Sequence, residues 1–189
     1  MSRDQIYSLP MQHVGSFAFD SDVVRVFPDM IARSVPGYAS ILSMIEQLTQ
    51  RFVKPGTSVY DLGCSLGAAT RLIRKQAPAD CRIHAIDSSP AMISRLQQIL
   101  DEDQSPGCSV TVNQADIRDL DMENSSFTVL NLTLQFISVP ERDHVISNVF
   151  RSLNPGGALL LSEKVRFENP SSQQLLTELH HDFKRANGY

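Results

Sequence analysis

The spacing of apolar positions changes along the chain. Up to residue 52 they recur with a helical period: Val24, Phe27, Met30 and Ile31, then Ile41, Met44, Ile45 and Leu48, with Val35-Pro36-Gly37-Tyr38 as a break. From Val59 onward, short runs rich in β-branched residues alternate with stretches of helical period, the pattern of repeated strand-helix-strand units around a parallel sheet. Strands are predicted over 58–62, 83–87, 110–116, 127–134 and 158–162, each of the length of a buried strand.

Helix signals fill the intervals. Ser89-Pro90 reads as a cap and first-turn proline, followed by Ile93, Leu96 and Leu100 on one face. Ser138, Val139 and Pro140 open another helix with the stripe Val145, Ile146, Val149, Phe150 and Leu153, stopped by Asn154-Pro155-Gly156-Gly157. A last helix runs from Ser171 or Ser172 to Arg185, with Leu175, Leu176, Leu179 and Phe183 as its stripe and Asn187-Gly188 as its end. Residues 101–107 read as a polar surface loop. The fold class is α/β: a Rossmann-like, mostly parallel sheet over 57–189 behind a helical lid over 1–56, together one compact domain. No internal repeat or low-complexity stretch interrupts it.

Composition narrows the function classes. At 189 residues the chain fits one ordinary domain. Seventeen basic against twenty-one acidic side chains leave a formal charge of -4. No basic run provides the phosphate-neutralising face of a nucleic-acid binder, so direct nucleic-acid binding is not expected. The start, Met1-Ser2-Arg3-Asp4-Gln5-Ile6, has no apolar run behind its charge, and no membrane-spanning stretch follows. The three cysteines, Cys64, Cys81 and Cys108, have no metal-ligand spacing and read as free thiols of a reducing compartment, which makes cytoplasm the expected location.

Chemistry concentrates after the first strand of the alternating region. Asp61-Leu62-Gly63-Cys64-Ser65-Leu66-Gly67 carries a strand into a glycine-bearing turn, and in an open α/β sheet ligands sit beyond the carboxyl ends of the strands. Two nucleotide readings compete. Gly63-x-Ser65-x-x-Ala68 is one substitution from the dinucleotide fingerprint, whose second glycine admits a pyrophosphate; Ser65 occupies that position. S-adenosylmethionine has no pyrophosphate and tolerates a side chain there, while Asp61 can stay ionised near its ammonium group or the loop amides. Asp87, at the end of the second strand, suits a bidentate contact to the ribose hydroxyls, although a dinucleotide would ask for the same residue. Asp116 ends the third strand; with Ile117 it can bond the adenine amino group and cover the ring. A single aspartate at such a place is as often a helix or turn cap. Three converging on one glycine turn favour the sulfonium cofactor.

The residues also resemble a known family. Val26-Phe27-Pro28-Asp29-Met30-Ile31, Arg33-Ser34-Val35-Pro36-Gly37-Tyr38, residues 59–70, Ile86-Asp87, Ser89-Pro90-Ala91-Met92-Ile93, Leu134-Gln135-Phe136, residues 153–158 and residues 180–189 closely resemble the carboxy-S-adenosylmethionine synthases, which have a class I methyltransferase fold. The resemblance covers almost the whole chain. It implies conversion of S-adenosylmethionine and prephenate into carboxy-S-adenosylmethionine and phenylpyruvate. A separate tRNA carboxymethyltransferase would use that product on wobble uridine, and this protein would be a homodimer. It further implies cofactor contacts at Tyr38, Gly63, Cys64, Ser65, Asp87, Ser88, Asp116, Ile117 and Asn131. Asn131-Leu132-Thr133-Leu134 lacks the Asn-Pro-Pro-aromatic arrangement of base amino-methyltransferases.

Members of the family continue past the position matching Tyr189, with two further strands and an arginine for the added carboxylate. The expectation is therefore a five-stranded sheet whose strand over 158–161 is an open apolar edge, and a chain that binds S-adenosylmethionine more securely than it carboxylates it. The other functions weighed are an ordinary methyltransferase acting on tRNA or a small molecule, and a non-catalytic cofactor-binding module. His180-His181-Asp182 offers no third ligand and is read as non-metal, with no metal site expected. Cys64 is read as a small packing residue rather than a nucleophile. His13, His84 and His144 are scattered and carry no reading. Arg33, Lys164, Lys184 and Arg185 are the cations available for prephenate. No catalytic base is assigned.

Overall fold

The computed structural model describes residues 20–189; the segment 1–6 and His13 lie outside them. The described residues fall into two compact units, Ile41–Lys164 and a smaller one in which Val165–Tyr189 joins the chain up to Ser40.

The larger unit holds the sheet. Strands β1 (Ser58–Leu62), β2 (Arg82–Asp87), β3 (Ser109–Gln114), β4 (Ser125–Asn131) and β5 (Leu153–Ser162) are all parallel, in the order β3-β2-β1-β4-β5. The chain winds outward through β2 and β3, then returns to the other side of β1, so the topological switch lies between β1 and β4. That is where an open α/β sheet receives ligands.

Both faces of the central strands are covered. In β1, Val59 packs on one face with Ile45, Ile73, Ile83, Phe127 and Val129, and Tyr60 and Leu62 on the other with Ile86, Leu130, Val145 and Val149. Helix α2 (Tyr38–Phe52) supplies Ile45, and α3 (Ala68–Gln76) supplies Ile73. Helix α4 (Pro90–Glu102) is capped by Ser89, whose Oγ accepts from Met92 N, and lays Leu96 against Cys64 and Ala85. Helix α5 (Val139–Ser152) covers the second face.

Several boundaries differ from the sequence reading. β3 stops at Gln114, so Asp116 lies in the turn beyond it. β4 starts at Ser125 and stops at Asn131, because Leu132 adopts a φ of 60° and leads into a 3-10 turn at Leu134–Phe136. β5 begins at Leu153, so the tetrapeptide Asn154 to Gly157 belongs to an irregular strand start paired through Ser125↔Leu153. α4 runs to Glu102, into the segment read as loop. Phe150, placed on the apolar stripe of α5, is 77% exposed, and Met44 in α2 is 51% exposed; Thr49, one helical turn beyond Ile45, is buried instead, its hydroxyl donating to Ile45 O. From Ile41 onward α2 belongs to the compact unit that holds the sheet.

In the smaller unit, α1 (Ser21–Ser34) is capped by Asp20, whose Oδ1 accepts from Asp22 N and Val23 N. It buries Val23, Val26 and Met30, a face one position round from the predicted one. Helix α6 (Pro170–Ala186) meets α1 through His180, hydrogen-bonded to Ser34 O at 2.8 Å, and through Arg33, which donates to Gly188 O and lies over the Tyr189 ring. Its predicted stripe of Leu175, Leu176 and Leu179 is exposed. Among the described residues no helix is long and apolar enough to cross a membrane.

Candidate functional site

The carboxyl ends of β1, β2 and β4 gather most of the predicted site residues on one rim. Gly63 and Cys64 leave β1 with both amides donating to Ile86 O, at 2.8 and 2.9 Å, which bends the loop toward β2. Ser65 follows with a φ of 51°, a left-handed conformation costly for a residue with a Cβ, and its amide donates to Asp87 Oδ2 at 2.9 Å. Asp87 Oδ1 accepts from Ser89 N, so one carboxylate ties the cofactor loop to the start of α4. Ser88 between them is exposed. Among these amides Ser65 N is therefore taken up by Asp87 and those of Gly63 and Cys64 by Ile86 O, none by Asp61, and a ribose would have to share both Asp87 oxygens.

Asp61 sits inside this frame. It is buried, and Thr70 Oγ1 on α3 donates to its Oδ2. Desolvation is the main effect on its carboxyl, opposed by the Thr70 hydrogen bonds and aided by the negative Asp87; together they push the pKa up to about 6. With a pKa of about 6 it is mostly ionised at neutral pH, against a cost of burial. Cys64 is buried against Ala85 and Leu96, and burial raises its thiol far above the ordinary range, which leaves it a packing residue and no nucleophile.

Glycine is required at two loop positions. A Cβ at Gly63 (φ 78°) would lie 2.3 Å from Thr133 Oγ1 and 2.9 Å from Thr133 Cβ; one at Gly67 (φ 72°) would lie 2.4 Å from Leu96 Cδ1. The loop thus packs against the turn after β4 on one side and against α4 on the other.

Asp116 is not an unengaged acceptor. Its Oδ1 accepts from the backbone and Nε of Arg118, its Oδ2 from Arg118 Nη2, and the same guanidinium reaches Glu141 Oε1 at 2.7 Å. This holds the Asp116 carboxyl below the usual carboxylate range. Ile117 is buried in the cluster with Val145, so its side chain is largely committed to the core. Asn131 Oδ1 accepts from Ser162 Oγ at 2.6 Å. Tyr38 opens α2 within the other compact unit.

The sequence reading missed Thr70, Arg118, Thr133 and Glu163. Thr70 and Arg118 had a signal in a polar residue one turn into the helix after the loop and in the Asp-x-Arg spacing; Thr133 had none. Of the four cations proposed for prephenate, Arg33 pairs with Asp29, Arg185 with Asp182, and Lys184 lies over the Tyr189 ring, while Lys164 is exposed. No group of three or more His, Cys, Asp or Glu is placed to hold a metal ion among the described residues.

Known proteins share this arrangement. A family model described as a methyltransferase domain matches residues 59–157, from β1 to the start of β5. A putative S-adenosyl-L-methionine-dependent methyltransferase from Methanococcus maripaludis superposes with a TM-score of 0.61 at 19% identity, covering 94% of this chain and 81% of that one. The cyclopropane synthase MmaA2 from Mycobacterium tuberculosis gives 0.60 at 20% identity over 72% of this chain and 46% of its own. At such identities the likeness shows the fold, that of the class I methyltransferases. Closer relatives are the carboxy-S-adenosyl-L-methionine synthases of Shigella boydii serotype 4 and Escherichia coli K12, each 54% identical over 99% of this chain and 76% of their own length. With the glycine loop, its acidic rim and the parallel sheet beneath it, this likeness makes the chain a member of the carboxy-S-adenosyl-L-methionine synthase family, a family of S-adenosylmethionine-dependent transferases.

Proposed function

We propose that this chain carboxylates the methyl group of S-adenosylmethionine, with prephenate as carboxyl donor, to give carboxy-S-adenosylmethionine and phenylpyruvate. The observation that carries the reading is the meeting of Gly63–Ser65, Asp87 and Asn131 at the switch point of a chain 54% identical to synthases of that name. The adenosine lies along the rim from the glycine loop toward β2 and β3, its ribose at Asp87 and its adenine amino group at Asp116. The amino-acid end of the cofactor brings a cation to a place where burial and the negative Asp87 raise the cost of ionising Asp61. A bound ammonium relieves that cost.

The chemistry balances without a metal. The ring of prephenate aromatises as its ring carboxylate leaves as carbon dioxide and its hydroxyl as hydroxide. The sulfonium methyl gives up a proton, which converts the hydroxide to water, and the resulting ylide carbon bonds to the carbon dioxide. Holding the two substrates together and keeping bulk water from the ylide are the contributions asked of the protein. The chain spans 76% of its relatives' length. Supply of the product to a separate tRNA carboxymethyltransferase for wobble-uridine modification, a homodimeric state and a cytoplasmic location complete the reading.

The test is incubation with S-adenosylmethionine and prephenate, followed by mass spectrometry of the cofactor. A gain equal to one carbon dioxide, dependent on prephenate, is expected. Calorimetry showing no cofactor binding up to millimolar concentration overturns the reading, and methyl transfer to tRNA without prephenate replaces it with an ordinary methyltransferase.

A further inference from the structure

The turn after β4 is held from below by two charged side chains that belong to no predicted site. Glu163 follows the last residue of β5, is half-buried, and accepts from two successive backbone amides of the 3-10 turn, Leu134 N at 2.6 Å and Gln135 N at 3.2 Å. Arg142, on α5, takes the opposite groups of the same turn: its Nε donates to Ile137 O at 3.0 Å and its Nη2 reaches Gln135 O at 3.5 Å. A carboxylate on the amides and a guanidinium on the carbonyls form a bracket that fixes Leu134–Ile137 from both ends.

What the bracket holds is the wall of the cofactor loop. Thr133, the residue before Leu134, is the side chain that leaves no room for a Cβ at Gly63. Leu132 before it keeps its φ of 60° with its amide on Ser162 O and its carbonyl accepting from Gln135 Nε2. Such a conformation persists only where its surroundings over-determine it. Close-packed contacts pass displacements on rather than absorbing them. A shift of the turn therefore moves Thr133 against Gly63, and Gly63 is joined by one residue to Ser65, whose amide is on Asp87.

We propose that Glu163 is a positioning residue for the S-adenosylmethionine site: through Leu134, Gln135 and Thr133 it sets the conformation of the Gly63–Ser65 loop from two strands away. This rests on the reading of the rim as that cofactor's site. Burial raises the carboxyl of Glu163 above its ordinary value, against the pull of the amides and of Arg142.

The experiment compares wild type, Glu163→Ala and Glu163→Gln by amide hydrogen exchange without ligand and by calorimetric titration with S-adenosylmethionine. Glu163→Ala is expected to speed exchange at Leu134 and Gln135 and also at Gly63, Cys64 and Ser65, leaving Ile83 and Val129 protected, and to weaken cofactor binding roughly tenfold. Glu163→Gln, which keeps one acceptor oxygen and the side-chain shape, should fall between the two. Faster exchange confined to Leu134 and Gln135, or wild-type affinity in Glu163→Ala, overturns the proposal, as does uniform loss of protection in both variants. Wild type that fails to bind the cofactor overturns the functional reading instead, and the exchange data still decide whether Glu163 governs the loop.

Discussion

The hydroxyl of Thr70 donates to Oδ2 of Asp61 across 2.5 Å, from α3 to β1, so the most buried carboxylate of the rim is held by a side-chain donor on the helix that follows the loop.

Asp61 has a folded pKa of about 6 against an unfolded value of 3.8. The native state therefore binds the extra proton, and its contribution to stability is complete below pH 3.8 and lost as pH rises through 6, by about 3 kcal/mol for a shift of this size. The difference in unfolding free energy between wild type and Asp61→Asn should fall over that window. In Thr70→Val the carboxyl loses its donor, and a carbon-13 titration of Asp61 should show a midpoint above that of wild type. A bound cation favours the ionised form, so S-adenosylmethionine should bind more weakly as pH falls through 6 and release a proton when it binds there.

Gly63→Ala should be the more damaging of the two loop-glycine substitutions. Both sites need a left-handed φ, worth about 1 kcal/mol. At Gly63 the new methyl meets the stiff, β-branched Thr133, while at Gly67 it meets the flexible end of Leu96. Denaturant midpoints should rank wild type, Gly67→Ala, Gly63→Ala in falling order, with cofactor binding lost in the last.

Arg118→Gln should uncouple Asp116 from its guanidinium. Asp116 is now held below the usual carboxylate range chiefly by hydrogen bonds from Arg118, so it stays charged on mild acidification. Without Arg118 it should protonate nearer the ordinary carboxylate value of 3.8, and affinity for S-adenosylmethionine should drop further as pH falls through that value than in wild type. Parallel titrations of the two proteins would show this; an unchanged pH profile would remove Arg118 from the adenine end.

Phe127→Ala and Phe150→Ala should part sharply. Phe127 is fully buried and stacks with Phe52, so truncation costs about 3–5 kcal/mol. Phe150, which helical periodicity places on the buried stripe, stands 77% exposed, and its loss should stay within about 0.5 kcal/mol. Thermal or denaturant unfolding of each variant measures the difference.

These residues also show where sequence stops being informative. The five strands, the glycine turn and the capped start of α4 follow from period, composition and local capping chemistry, and these were legible; the order of the strands in the sheet was not among them. Phe150 was misplaced because periodicity gives the angle around a helix but not which sectors a neighbour covers. The end of β4 was missed because Leu132, an ordinary strand former, takes a positive φ imposed by its contacts to Ser162 and Gln135. Asp116 and Asp87 were named from the expected strand ends, and Arg118 had a signal in the Asp-x-Arg spacing, while the partner Ser65 N depends on loop geometry that spacing does not encode. Glu163 acts through the backbone amides of Leu134 and Gln135, and Thr133 through a side chain placed by that turn, relations on which one-letter patterns are silent.

The double bond-holding of Asp87, to Ser65 N and Ser89 N, has a kinetic meaning. The loop that would receive the cofactor is already fastened to the neighbouring helix before anything arrives, so little ordering entropy is left for the encounter to supply. Association should then be a single step whose rate grows in proportion to ligand concentration, without the plateau that a slow rearrangement of the loop would impose.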